Sequence, residues 1–220
     1  MPICAVIFDR DGVLSSFDLE SAAHFFTPRV PLSLWQIFDR WEAWGSHVGF
    51  PRSDAEEMRF FRGFWDALCD DLGLGSAVRA DLQGLDYTRY VVAFPDTRGA
   101  LLAARRAGLA VGVLSNFSLA SLEASLAAMG VGDLVDAACA ATVIGAAKPA
   151  PRAYQIAAAR LGVEPQECLF LDDEEACVAG ARAVGMTAYR VDRTLQAHAL
   201  DQGIVADLGV LPELLARLGR

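Results

Sequence analysis

The stretch VIFDRDGVLSS, residues 6–16, begins as the end of an apolar strand and breaks at once into charge. Asp9 and Asp11 flank Arg10, and Gly12 follows. Like charges this close, where a core strand ends, are opposed by repulsion and by desolvation. A bound cation, or a reaction that needs carboxylates, would account for them.

Working outward, residues 3–8 (ICAVIF) are short and continuously apolar. That is the pattern of a parallel strand buried on both faces. It returns at 109–114 (LAVGVL) and 168–171 (CLFL), with weaker candidates at 141–144 (ATVI) and 187–191 (TAYRV). Helical patterns lie between them at 98–107, 119–129, 152–161 and 175–184, with Ser118 a candidate N-cap. Each pattern is followed by a glycine, at 108, 130, 162 and 185, suited to the left-handed position after a helix. Strand and helix thus alternate from about residue 95 onward, which predicts an α/β fold: a doubly wound, Rossmann-like parallel sheet.

Residues 15–92 differ. They hold all four tryptophans and eight of the twelve phenylalanines. LWQIFDRWEAW places Leu34, Ile37, Phe38 and Trp41 on one helical face; MRFFRGFWDAL does the same with Phe60, Phe61, Phe64, Trp65 and Leu68. This predicts an inserted α-helical unit at 15–92 within a core made of 1–14 and 93–220. AFPDTRG, 93–99, is the expected return linker.

In open α/β sheets, ligands bind beyond the carboxyl ends of the strands. Asp9 and Asp11 follow the first strong strand, Ser115 and Asn116 the second, and Asp172 and Asp173 the third. Lys148 stands in AAKPAP, just before a helix start. Carboxylates gathered at one rim require a cation, and their oxygens suit Mg²⁺ sharing a substrate phosphate. Lys148 and a Ser or Asn side chain would hold the remaining phosphate oxygens. One aspartate would attack phosphorus, and a second would protonate the leaving group and later activate water.

These four pieces in this order resemble the haloacid dehalogenase (HAD) superfamily of phosphatases and dehalogenases. FDRDGVL looks like its first motif, LSN its second, KPAP its third and LDDEEACVAGARAVGM its fourth, across residues 3–191. The resemblance implies that Asp9 is the nucleophile and that Asp11 is the general acid/base, with its main-chain carbonyl on the metal. It implies that Ser115, with Asn116 beside it, binds the phosphoryl group and that Lys148 pairs with that group and with Asp9. Asp173 is implied as a direct metal ligand; Asp172 either supports it through water or ligates as well. The insert resembles the family's helical cap. Dehalogenases of this family usually carry a non-acidic residue at the position of Asp11, because a halide leaves without a proton. Glu174, where Ser is common, and Cys177, where Asn is common, depart from the pattern.

The reading is therefore a Mg²⁺-dependent phosphatase acting on a small phosphorylated metabolite through an aspartyl-phosphate. Two alternatives stay open: a metal-independent haloacid dehalogenase-type hydrolase on the same core, and a catalytically idle HAD-like binding or interaction protein. Simpler structural roles also exist. Asp9 and Asp11 fit a turn, Ser115 and Asn116 a helix cap, Lys148 a solvated lysine, and the 172–173 pair the acids of a helix start. Arg10 is expected to point away from both neighbours on an extended chain. Arg29, His47 and Arg52 are candidates for holding the far end of a substrate; the mechanism needs no histidine.

Bulk properties agree. A net charge of −9 and a sequence pI near 4.8 disfavour nucleic acid and anionic membranes as partners. Five cysteines without a CxxC pair predict reduced thiols and a cytoplasmic location. No signal peptide and no membrane span are expected. Either a monomer or a homodimer is compatible with the aromatic-rich insert.

Overall fold

The computed structural model of the chain describes residues 2–219. Its elements run β1 (Ala5–Phe8), β2 (Ser15–Phe17), α1 (Leu19–Phe26), α2 (Leu34–Val48), α3 (Asp54–Leu72), α4 (Ser76–Gln83), β3 (Val91–Ala93), α5 (Thr97–Arg106), β4 (Ala110–Ser115) and α6 (Leu122–Ala128). They continue with β5 (Ala137–Ala140), α7 (Ala141–Ile144), α8 (Pro151–Arg160), β6 (Cys168–Asp172), α9 (Glu175–Ala183), β7 (Thr187–Val191), β8 (Ile204–Val205) and α10 (Leu211–Arg217).

Six strands form one sheet in the order β5-β4-β1-β6-β7-β8, with every neighbouring pair parallel. Helices cover both faces, giving the Rossmann-like α/β fold that the alternating pattern predicts. Successive side chains of β1 point to opposite faces. Val6 and Phe8 pack with Leu101 of α5, Leu126 of α6 and Leu214 of α10. Ala5 and Ile7 pack with Ala157 of α8 and Val178 of α9. An unbroken apolar run is what a strand buried on both sides requires. The glycines at 108, 130, 162 and 185 all take positive φ, from 71° to 95°.

Two local expectations fail. Residues 141–144 are not a strand but the single turn α7, closed by Gly145 at φ 66°. The strand in that region is the preceding AACA segment, whose small residues carry little β preference. Register decides it: Ala140 pairs with Ser115, the last residue of β4, so the ladder ends there. Ser118 does not cap α6; the cap position is Ser121, and residues 116–121 form an irregular loop.

Residues 19–83 fold as four helices around their own cluster of Phe26, Phe64, Trp65, Leu68 and Leu82. Strands β2 and β3 pair antiparallel, Ser15 with Ala93 and Phe17 with Val91, so the chain enters and leaves this unit through one two-stranded stem. Leu34, Ile37 and Trp41 face the cluster as the pattern predicts, but Phe38 does not: it is 49% exposed and stacks on Trp41. A stripe at helical spacing is wider than the face its neighbours can cover. No helix among the described residues is long and apolar enough to cross a membrane.

Candidate active site

The sheet register builds the site. Phe8 pairs with Leu171, and the next N–H, that of Asp9, continues the ladder to the Leu171 carbonyl at 2.8 Å. Asp9 therefore leaves β1 beside Asp172, the last residue of β6. On the other side, Phe8 pairs with Val113, so β4 ends in Ser115 at the same rim. The strand ends are thus brought together by the hydrogen-bonded register of the sheet.

Lys148 reaches into this rim from the loop before α8. Its Nζ lies 2.7 Å from Asp9 Oδ1 and 2.6 Å from Asp172 Oδ2, and its side chain is 2% exposed. The side chain of Asn116 holds both main-chain ends of Lys148: its Oδ1 accepts from Lys148 N at 2.7 Å, and its Nδ2 donates to Lys148 O at 3.0 Å. The amide of Asn116 is thereby committed to positioning Lys148. Ser115 is buried at the end of β4, leaving its hydroxyl as the polar side chain that this motif offers to the rim.

Asp9, Asp172 and Asp173 each offer a carboxylate oxygen within 4.8 Å of the others. Asp172 Oδ1 also accepts from Glu174 N at 2.9 Å. Asp173 sits directly over Gly12: a Cβ there would fall 2.2 Å from Asp173 Oδ2, and Gly12 has φ 76°. Any side chain at 12 would meet both objections, so this glycine is required by the approach of the fourth motif to the first. Burial raises the Asp9 carboxyl, opposed by Lys148 and reinforced by Asp172, to about 7. Burial likewise raises Asp173, with Asp172 adding to it. For Lys148, burial works to lower the ammonium but is outweighed by Asp9 and Asp172, so the amine stays charged.

Three carboxylates against one ammonium leave the cluster short of positive charge. Asp9 Oδ1 is moreover buried, with the Lys148 ammonium 2.7 Å away. Three carboxylate oxygens this close together are the donor set a hard divalent cation takes. The residues present therefore fit Mg²⁺.

Asp11 does not join that group of carboxylates. Arg10 folds back on it, with Nη2 at 2.8 Å from Asp11 Oδ2 and Nε donating to Oδ1 at 3.1 Å, which corrects the expectation that Arg10 points away from its neighbours. The alternation of an extended chain ends at Arg10, whose carbonyl accepts from both Leu14 N and Ser15 N as the backbone turns. The guanidinium also donates to Ser125 Oγ at 3.0 Å and lies 3.9 Å over the Phe117 ring. The Asp11 side chain is 55% exposed.

Further contacts at the rim carry no sequence signal. Glu57 of α3 is buried, and its Oε2 accepts from Ala120 N at 2.7 Å and Ser121 N at 2.9 Å. Its Oε1 takes the Ser121 hydroxyl, which also meets Tyr87 Oη at 2.6 Å. The helical unit is thus fastened to the loop that follows Ser115 and Asn116. This is why Ser121, not Ser118, heads α6. Burial pushes the Tyr87 phenol up, and nearby Glu57 adds to it, so the hydroxyl keeps its proton. Arg193 donates to the carbonyls of Gly12 and Val13 and pairs with Asp96, tying the first motif to the return linker. Glu57 reads as one more acid in a helix's first turn, and Arg193 lies beyond the last motif; neither position has a pattern that marks it.

The departures in the fourth motif are accommodated locally. Cys177 donates to Glu174 Oε2 at 3.3 Å, and burial, reinforced by Asp172, pushes its thiol up to about 12. Glu174 therefore faces Cys177 and stays out of the group of three. Arg29 pairs with Asp81 at 2.9 Å and so stays within the helical unit, while His47 is exposed at the end of α2.

Comparison with known proteins agrees with this geometry. Residues 3–185 match the model of the haloacid dehalogenase-like hydrolases. The chain is 44% identical to a phosphatase of Mycobacterium tuberculosis (strain CDC 1551 / Oshkosh) over 221 residues, covering 100% of both. It is 28% identical to an (S)-2-haloacid dehalogenase of Pseudomonas sp. (strain CBS-3), covering 99% of this chain and 98% of that one. Among solved structures, L-2-haloacid dehalogenase from Xanthobacter autotrophicus superposes with a TM-score of 0.65 at 26% identity, over 97% of this chain and 98% of the other. With four motifs converging on one rim and a family match spanning them all, the chain belongs to the haloacid dehalogenase-like hydrolases.

Proposed function

We propose that this hydrolase is a Mg²⁺-dependent phosphatase acting on a small phosphorylated metabolite. The observation that carries the reading is an acidic residue, Asp11, two positions after Asp9 of the Asp9–Lys148–Asp172 cluster and half-exposed. A carbon–halogen bond breaks to a halide that needs no proton, whereas a phosphate ester leaves as an alkoxide that does. The likeness to a mycobacterial phosphatase over the whole chain supports the same choice.

In this mechanism the Ser115 hydroxyl and Lys148 bind the phosphoryl oxygens, and Asn116 keeps Lys148 in place. Asp9, Asp172 and Asp173, with the Asp11 main-chain carbonyl, would hold Mg²⁺, which when bound would supply the positive charge that lets a carboxylate meet a phosphate. Asp9 attacks phosphorus; the P–O ester bond breaks, and the leaving oxygen takes a proton from Asp11. Water then attacks the aspartyl-phosphate and gives its proton to Asp11, and the P–O bond to Asp9 breaks to release phosphate. Residues 15–92 act as a cap on the stem of β2 and β3, with core 1–14 and 93–220 carrying the chemistry. Closure excludes water from the first step.

One observation favours the dehalogenase alternative: Asp11 is held by Arg10 and is not within the group of three carboxylates. A panel of phosphomonoesters and 2-haloacids, assayed with Mg²⁺ and with EDTA, separates the two. Phosphate release that needs Mg²⁺ and vanishes in Asp9→Asn is expected. Dehalogenation that survives EDTA would replace the phosphatase reading.

A further inference from the structure

Asp11 is the acid on which the phosphatase reading turns, yet its side chain is 55% exposed and stands outside the group of Asp9, Asp172 and Asp173. Left to itself, a half-exposed carboxylate samples several rotamers. Proton transfer to a leaving oxygen needs it in one place, because the donor must sit within hydrogen-bond reach of the atom it serves.

Arg10 supplies the constraint. Its Nε donates to Asp11 Oδ1 at 3.1 Å and its Nη2 to Oδ2 at 2.8 Å, a two-point fork that fixes direction as well as distance. The guanidinium is itself held. Its side chain is 5% exposed, Nη1 donates to Ser125 Oγ of α6 at 3.0 Å, and its central carbon lies 3.9 Å over the Phe117 ring. The Ser125 hydroxyl spends its proton on the Leu122 carbonyl at 2.7 Å, so it meets Arg10 as an acceptor. Phe117 is packed in turn: its ring lies 6.0 Å from that of Tyr87, which stacks on Phe61 of α3 at 5.9 Å. An exposed pair such as Arg40 with Asp71 must order two side chains that both stand in water. Here the arginine is anchored by neighbours other than its acid, and only Asp11 remains to be ordered.

We propose that Arg10 is a positioning residue: seated on Phe117 and Ser125, it holds the Asp11 carboxylate in the place from which the proton passes to the leaving oxygen. Arg10 touches neither substrate nor reacting atoms in this role. The inference rests on the phosphatase reading and adds to it the side chain through which Asp11 is aimed.

The test compares an alkyl phosphate with p-nitrophenyl phosphate by kcat/KM, which covers the steps up to departure of the leaving group. An alkoxide needs the proton of Asp11, whereas p-nitrophenolate leaves without one. Arg10→Met should lower kcat/KM for the alkyl ester at least about tenfold more than for the p-nitrophenyl ester. Asp11→Asn should show the same selectivity, and Arg10→Lys, which keeps the charge without the fork, should fall between Arg10→Met and wild type. A loss of equal size on both esters, or none, would make Arg10 a purely structural tie and overturn the inference while leaving the phosphatase intact. Wild-type enzyme that hydrolyses neither ester would overturn the phosphatase reading and this inference with it. Should Arg10→Met fail to fold, Ser125→Ala decides, since it removes only the acceptor at Nη1. The same selective loss upholds the assignment, and an unselective loss or none overturns it.

Discussion

The sheet rim and the helical unit hold opposite charges in opposite ways. At the rim, Lys148 is 2% exposed and its partners Asp9 and Asp172 are 10% and 0% exposed. In the helical unit, Arg40 pairs with Asp71, the two side chains being 44% and 59% exposed. The same kinds of charge meet at similar distances, yet water screens one pair and is excluded from the other. Exposed pairs contribute little because hydration competes with them. Buried ones are costly to assemble and costlier to break. The comparison teaches that the rim is a place where charge is held under stress for chemistry, while the helical unit is held by aromatic packing.

The largest expected effect comes from removing the amine. Lys148→Met leaves two buried carboxylates facing each other and should cost about 3–5 kcal/mol of stability in metal-free buffer near pH 8. Urea denaturation measures it, and a cost below about 1 kcal/mol would erase the contrast between the regions.

The second effect has the opposite sign. Asp9 in the folded chain titrates near 7 instead of 3.8, because burial disfavours its charge. Between those values the unfolded chain has released a proton that the folded chain retains. Stability from this group is therefore present at low pH and is lost as pH rises through that window. Asp9→Asn removes that titration, so the metal-free variant should lose less stability than wild type between pH 5 and pH 8. Thermal unfolding in EDTA at pH 5 and pH 8 checks it. A variant that follows the wild-type pH dependence would show that Lys148 already compensates Asp9 fully.

Between the two regions stands Glu57. Glu57→Ala strips acceptors from two main-chain N–H groups and the Ser121 hydroxyl, and should cost about 1–3 kcal/mol. Amide exchange should rise at residues 120 and 121 and stay unchanged in β1 and β6. Exchange that rises evenly through the sheet would mean the two regions unfold as one and are not joined by a local latch.

The smallest effect sharpens the contrast from the other side. Arg40→Ala should change stability by less than about 1 kcal/mol in moderate salt. A larger loss would place real stabilisation in the exposed pairs of the helical unit.

The fold was legible where the chain had only one way to bury itself. ICAVIF, LAVGVL and CLFL are apolar throughout, so they predict strands covered on both faces, and β1, β4 and β6 are found there. ATVI misleads because β-branched residues suit a strand, while the sheet edge had already ended at Ala140. Pairing across the sheet is not written in the segment itself. The same limit applies at the rim. The motifs put Asp9, Ser115, Lys148, Asp172 and Asp173 in sequence order, but nothing in LSN says that Asn116 grips both ends of Lys148. Nor does DRDG say that Arg10 turns back on Asp11.

By itself the sequence determined that ICAVIF, LAVGVL and CLFL are strands and which polar or charged residues follow them. Local hydrophobicity and glycine placement suffice for that, because they act over a few residues. Only the tertiary structure decided what the side chains touch: Arg10 on Asp11, Asn116 on Lys148, and Glu57 across to the loop before α6. Those contacts join residues far apart in the chain or depend on where a turn directs a side chain, and burial and geometry select them only after the layers have packed.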